Sequence, residues 1–255
     1  MMRGVLFLLA GGVACYCQSL TLPELLQAAR YDDEKALAQL QRLGRSGNVE
    51  AQQYLGLYFE SNTSQSEAAE YWYRRAAKNG SAEAALALAN IYLRGNPDRW
   101  NAVAAMEVLQ GPAARGNVEA QLQLGLAFRS PRADGKPHNG KQAIYWLVKA
   151  ARRREPRAML ALAEIFQSGA VVPPNPRLSI ELLKAGARLG DRGSRLFLAR
   201  LLASGAEGPQ VSAKGIEELK TLAELGLTEA SYELGMIYLE GRGIQAQDFD
   251  KGVHH

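Results

Sequence analysis

The 255-residue chain holds only two cysteines, Cys15 and Cys17, and both lie near its N-terminus. No disulfide can staple the body, and no thiolate cluster is available there for a metal or a redox couple. Histidine is almost as scarce. His138 stands alone in a Pro/Gly-rich loop and reads as solvated, while His254-His255 read as part of a helix start rather than as metal ligands. Aromatics are 7% of the chain and are not interleaved with its arginines, so the pattern of a nucleic-acid groove is missing. No apolar run reaches the roughly 20 residues of a spanning helix. Gly-x-Gly-x-x-Gly after a strand, a phosphate loop and Gly-x-Ser-x-Gly are all absent. Asp32-Asp33 and Glu217-Glu218 read as capping or solvated charges, and Asn62-Thr63-Ser64 as a chance sequon. The expectation is a chain without catalytic residues, cofactor or metal.

What is present is apolar and small. Hydrophobic residues make up 47% of the chain and charged ones 22%, which suits a packed protein and excludes disorder. The N-terminus carries Arg3 and then an apolar run from Gly4 to Ala14, the pattern of a secretory signal over residues 1–14. Gly12-Val13-Ala14 before Cys15 resembles a bacterial lipoprotein box, although Gly12 stands where that pattern prefers Leu. The resemblance implies lipidation at Cys15, with outer-membrane sorting because Tyr16, not Asp, follows. Plain export after cleavage near Cys15 and an uncleaved cytoplasmic start are the alternatives. Residues 15–21 then form a short linker.

Repeats dominate the rest. Gly47-Asn48-Val49-Glu50-Ala51, Gly80-Ser81-Ala82-Glu83-Ala84 and Gly116-Asn117-Val118-Glu119-Ala120 are near copies. Looser blocks end at Ala158, Ser194 and Ala230, so the closing residues are spaced by 33, 36, 38, 36 and 36. Four residues after each comes Leu55, Leu88, Leu124, Leu162, Leu198 or Leu234. The next residue is always small (Gly56, Ala89, Gly125, Ala163, Ala199, Gly235), and three further on stands Phe59, Tyr92, Phe128, Phe166, Leu202 or Tyr238. These offsets share one helix face, and a small residue in that stripe argues for close approach of a neighbouring helix. A second helix follows, marked by Ala69, Trp72 and Ala76, then by Ala143, Trp146 and Ala150, with both tryptophans expected in the core. Pro112 is expected to bend or shorten its helix.

The variation in spacing is informative. From Gly44, Ala77, Ala113, Ala151, Ala187 and Ala223 to the next closing residue is always seven residues. All length change therefore falls inside units, and the turn between units is geometrically fixed. Residues 22–46 read as a capping helix pair. Residues 47–255 read as about six repeats, the last truncated, as though cut from a longer repeat protein.

The Ala, Leu-Gly, Tyr, Ala, Trp and Ala-pair pattern resembles the Sel1-like repeat family, a relative of tetratricopeptide repeats. That resemblance implies an all-α fold, a right-handed α-solenoid of stacked antiparallel helix pairs, working as a protein-interaction scaffold. With the leader, it implies a non-catalytic scaffold of the bacterial envelope, exported, facing the periplasm and held to the membrane only through its leader or lipid. Architecture and charge also resemble outer-membrane scaffold lipoproteins of anionic exopolysaccharide secretion. A host-interaction role remains open. Exported relatives that act on β-lactams carry a cysteine pair in each repeat, which this body lacks.

Charge is unevenly placed. The chain carries 30 basic and 26 acidic residues, but residues 129–200 hold 15 basic and five acidic, a net of +10 against −6 elsewhere. Arg152, Arg153, Arg154 and Arg157 cluster at one inter-unit turn, and Arg188, Arg192 and Arg195 recur one unit later. Stacked turns should join them into a basic ridge, either a solvated edge or a surface for an acidic protein, acidic polysaccharide or lipid headgroup. Candidate contacts on the concave face, which first helices line, are Glu60, Asn90, Arg129, Glu164, Gln167 and Arg200.

Overall fold

The computed structural model describes residues 21–29, 33–61, 66–94, 101–129, 139–169, 171–204 and 209–240. The expectations for the leader, Cys15, Asp32, His138, the sequon and residues 241–255 fall outside these. Among the described residues there are thirteen helices and no strand. They are α1 (Leu22–Ala29), α2 (Glu34–Arg45), α3 (Val49–Glu60), α4 (Ser66–Lys78), α5 (Ala82–Arg94), α6 (Ala102–Ala114) and α7 (Val118–Arg129). There follow α8 (Gly140–Arg152), α9 (Pro156–Ser168), α10 (Pro176–Arg188), α11 (Arg192–Ala203), α12 (Pro209–Glu224) and α13 (Thr228–Glu240). The fold class is the expected one: all-α, helix pair upon helix pair. The chain divides into two compact units, one ending at Asn79 and one starting at Gly80.

The sequence blocks are the joints between pairs. Each joint is three residues long: 46–48, 79–81, 115–117, 153–155, 189–191 and 225–227. At the first joint Asn48 N–H donates to the Leu43 carbonyl and Gly47 N–H to that of Gly44, at 3.0 and 3.2 Å. The same two bonds recur as Asn117 to Pro112 with Gly116 to Ala113, and as Asp191 to Gly186 with Gly190 to Ala187. This is the Schellman closure, which needs a left-handed residue at its centre. Glycine supplies it five times, with φ between +82° and +102°, and Arg154 supplies it once at +63°. The following residue then opens the next helix. Asn48 Oδ1 accepts from Ala51 N–H and Asn117 Oδ1 from Ala120 N–H, both at 2.8 Å. Glu155 and Asp191 cap in the same way.

Packing follows from the stripe. The closing residues Ala51, Ala84, Ala120, Ala158, Ser194 and Ala230 are all fully buried. At Gly56 and Gly125 the small residue after the leucine receives the second helix of its own unit. A Cβ at Gly56 would lie 2.8 Å from Cγ of Tyr73, and one at Gly125 would lie 2.7 Å from Cγ of Leu147. Tyr73 and Leu147 occupy the same register, so this is one contact repeated. In the second unit, successive first helices also touch, α5 on α7, α7 on α9, α9 on α11 and α11 on α13. They form the inner layer of that stack.

One expectation is narrowed and one corrected. α6 is not shortened by Pro112: it runs to Ala114 and has thirteen residues, like α4 and α8. Proline so near the end forfeits one amide donor, while its carbonyl still accepts from Asn117 N–H and its ring is buried. Nor are both tryptophans buried. Trp72 is 5% exposed, but Trp146 is only half-buried. Gly44 explains the difference, because a Cβ there would sit 2.7 Å from the Trp72 ring. The equivalent residue before Trp146 is Ala113, whose methyl takes that space.

Gly56→Ala should therefore destabilise the protein by about 1–3 kcal/mol, although alanine is the better helix former. Gly111→Ala is the control. Gly111 is exposed within α6, and beyond its chain neighbours a Cβ meets only the flexible end of Arg115 at 3.4 Å; the gain in helix propensity is set against the crowding of that Cβ by Pro112, so stability should change by less than about 1 kcal/mol. Urea denaturation of both variants checks the pair; equal losses would remove the tight helix contact as the reason for the small residue.

Candidate functional site

Within each compact unit, neighbouring joints lie beside one another. In the first unit Arg75 Nη2 donates to the Arg45 carbonyl at 3.3 Å, from the end of α4 to the end of α2. In the second unit Arg115 Nη2 reaches the Gly80 carbonyl at 3.5 Å, and Arg157 pairs with Glu119 at 3.5 Å. The next two joints also meet, since a Cβ at Gly186 would lie 2.9 Å from Ser194 Cβ and 3.7 Å from the Pro156 carbonyl oxygen. The arginines of residues 152–157 and 188–195 therefore occupy adjacent positions in the stack.

Their states differ. Arg157 holds Glu119, and Arg195 holds Glu218 at 2.7 Å. Arg152, Arg153, Arg154, Arg188 and Arg192 are exposed and have no carboxylate partner among the described residues. The two acids within the same stretches are engaged elsewhere: Glu155 Oε1 accepts from Arg157 N–H at 3.1 Å and Asp191 Oδ2 from Ser194 N–H at 2.7 Å.

Two local costs coincide with this cluster. Arg154 occupies the left-handed position that every other joint gives to glycine, where a Cβ is unfavourable. At Arg153 the cost is a lost hydrogen bond. In the first unit the buried Gln52 donates through Nε2 to the Gly44 carbonyl at 2.7 Å, and its Oε1 accepts from Asn79 Nδ2 at 2.9 Å. Gln121 repeats the first bond, to the Ala113 carbonyl at 3.0 Å. Arg153 stands in the register of Asn79, turns to solvent, and leaves the buried Gln121 Oε1 without a partner.

Four of the six first-helix candidates are engaged in pairs rather than left open. Arg129 pairs with Glu164 across α7 and α9, and Arg200 with Glu233 across α11 and α13 at 3.4 Å. Arg200 also lies over the Phe197 ring, 4.7 Å from its centroid. Glu60 accepts from the Tyr73 hydroxyl at 2.6 Å. Burial, reinforced by that bond and the Glu60 charge, pushes the Tyr73 phenol well above its ordinary value near 10. Asn90 and Gln167 are half-buried, and Gln167 Oε1 is buried without a partner. The ion pairs escaped sequence reading because their partners stand 35 and 33 residues apart, close to the repeat length. A search at that separation for opposite charges would have found them.

The displacement of Trp146 opens a cleft of about 430 Å³ between α6, α7 and α8. Phe128 and Trp146 line it with Gln110, Ala114, Asn139 and Gln142. Lys149 Nζ stands 4.9 Å from the Trp146 ring centroid and 4.6 Å from that of Tyr145. Among the described residues no group of His, Cys, Asp and Glu is placed to hold a metal, and no helix is long and apolar enough to cross a membrane.

Stacked helix pairs, joined by a fixed turn and exposing charged edges, define an α-solenoid repeat protein. The chain belongs to the Sel1 repeat family, whose pattern matches residues 49–81, 82–107, 118–154, 156–191 and 228–255. It is 27% identical over 157 residues to the uncharacterized protein NMB1327 of Neisseria meningitidis, covering 61% of this chain and 32% of that one. The chain thus spans about a third of that relative. Its fold is similar to the crystal structure of a Sel1 repeat protein from Oxalobacter formigenes, with TM-score 0.68 and 24% identity over 90% of this chain and 92% of that one. It is also similar to c5321, a protective antigen of uropathogenic Escherichia coli with an SLR fold, with TM-score 0.68 and 24% identity over 91% and 52%. Sel1 repeats generally serve protein–protein interaction and are generally non-catalytic.

The local cost at Arg154 is measurable. Arg154→Gly should stabilise the protein by about 1 kcal/mol, read from denaturant midpoints, because the left-handed backbone no longer carries a Cβ. The Tyr73–Glu60 bond predicts a pH dependence. Above about pH 10 an unfolded tyrosine ionises while folded Tyr73 keeps its proton, so its contribution is complete below that pH and declines above it. Tyr73→Phe should make the alkaline fall in stability shallower; an unchanged slope would detach Tyr73 from it.

Proposed function

We propose that this chain is a non-catalytic scaffold of the bacterial cell envelope, exported by its N-terminal leader and anchored through lipid on Cys15. The supporting observation is the set of clips between consecutive units. Arg129 with Glu164, Arg157 with Glu119 and Arg200 with Glu233 join helices one repeat apart. Such clips hold neighbouring repeats in register, so that a partner meets a preorganised surface and little freedom is lost on docking. Exposed aromatic side chains, Tyr145 at 50% and Tyr232 at 64% exposure, are of the residue type that anchors interfaces. The anchor rests on Gly12-Val13-Ala14-Cys15 after the apolar run.

Photo-crosslinking amino acids placed at Tyr145 and Tyr232 in living cells should yield discrete protein adducts. Their absence at both positions, with turnover of a small substrate by the purified chain, would overturn the scaffold reading. Cells fed a labelled fatty acid should label the wild-type chain and not Cys15→Ser; an unlabelled wild type removes the anchor while leaving the scaffold untouched.

A further inference from the structure

We infer that Arg152, Arg153 and Arg154 at one joint, with Arg188 and Arg192 at the next, form a docking strip for an acidic, extended segment of a partner protein. The inference rests on the scaffold reading and names the chemistry of one partner. All five guanidinium groups are exposed and lack a carboxylate among the described residues, while the acids between them, Glu155 and Asp191, are spent on backbone amides. Glu155 and Asp191 keep their charge, but five unpaired guanidinium groups against two carboxylates leave a net cationic edge.

One of its arginines stands against the consistent choice of the other joints, and a second leaves a buried acceptor unpaired. Every other joint places glycine where Arg154 stands, and the first unit places Asn79 where Arg153 stands, with a hydrogen bond that Gln121 lacks. Residues that cost local stability and present unpaired charge on adjacent turns point to a role outside the fold. Peptide carboxylate is the favoured ligand. The flanking arginines of the same joints, Arg157 and Arg195, already hold glutamate side chains, and guanidinium matches carboxylate in its planar geometry. Residues 152–157 and 188–195 contain no aromatic side chain on which a sugar ring would stack. Neighbouring joints lie one helix packing distance apart, about 8–10 Å, which an extended chain spans in about three residues. The partner segment thus carries Asp or Glu at every third position or in a continuous run.

The test uses the full chain and a fluorescent twelve-residue glutamate peptide, with a glutamine peptide, an oligouronate of equal charge and anionic phospholipid vesicles as competitors. The glutamate peptide should bind in a salt-dependent manner, and the glutamine peptide should not. Arg153→Asn with Arg154→Gly should weaken binding about tenfold while raising the denaturant midpoint, a combination that damage to the fold cannot produce. Arg152→Glu with Arg188→Glu should abolish binding. Failure of the glutamate peptide to bind, binding by either double variant as tight as the wild type, or stronger binding of oligouronate or vesicles would each overturn the proposal. Protein adducts at Tyr145 or Tyr232 would persist in that event, so the scaffold reading would stand or fall separately.

Discussion

The structure depends on a joint of three residues in which one backbone position must be left-handed. Its last residue serves two helices at once: the Asn48 N–H closes α2 on the Leu43 carbonyl, and the Asn48 side chain opens α3 on Ala51 N–H. A residue inserted there would break one function or the other, whereas the connection inside a unit has no such double duty. This is why spacing varies within units and never between them. The joint also sets the distance at which the next pair lands, so the buried alanines and the Gly56–Tyr73 contact all presuppose it.

The frame was legible in the sequence because it is periodic. Closing alanines, following leucines and the seven-residue interval each repeat often enough to separate rule from accident. What was not legible depended on a single substitution between equivalent positions. Trp72 and Trp146 share a register, yet Gly44 against Ala113 buries one indole and leaves the other half-buried beside a cleft. The asparagine caps of second helices, Asn101, Asn139 and Asn175, escaped notice because the variable loops before them carry no register.

The candidate site divides along similar lines. The clustering of arginines was visible as net charge, and the stacking of joints brings those clusters side by side. Which arginines are free was not visible. Arg157 and Arg195 find glutamates 38 and 23 residues away, while Arg152 and Arg188, of the same type and on the same edge, find none among the described residues. Charge counting treats these alike, and only the geometry of neighbouring helices separates a structural clip from an available cation. The same holds for the first-helix face, where Arg129 and Glu164 neutralise each other.

A stack of repeats tolerates local cost in a way that a single core does not. Each unit touches chiefly its neighbours, so strain at one joint is felt by two helix pairs and is not amplified through the whole protein. Arg154 in a left-handed backbone and Gln121 with an idle carbonyl oxygen both lie among α7, α8 and α9. The joints on either side keep glycine at Gly116 and Gly190, with their Schellman bonds intact. A repeat protein is thus free to place an unfavourable residue in the middle of its length, where neighbours on both sides hold the frame. An end repeat, with one neighbour, has less margin, and it is the interior joint between α8 and α9 that carries the arginines.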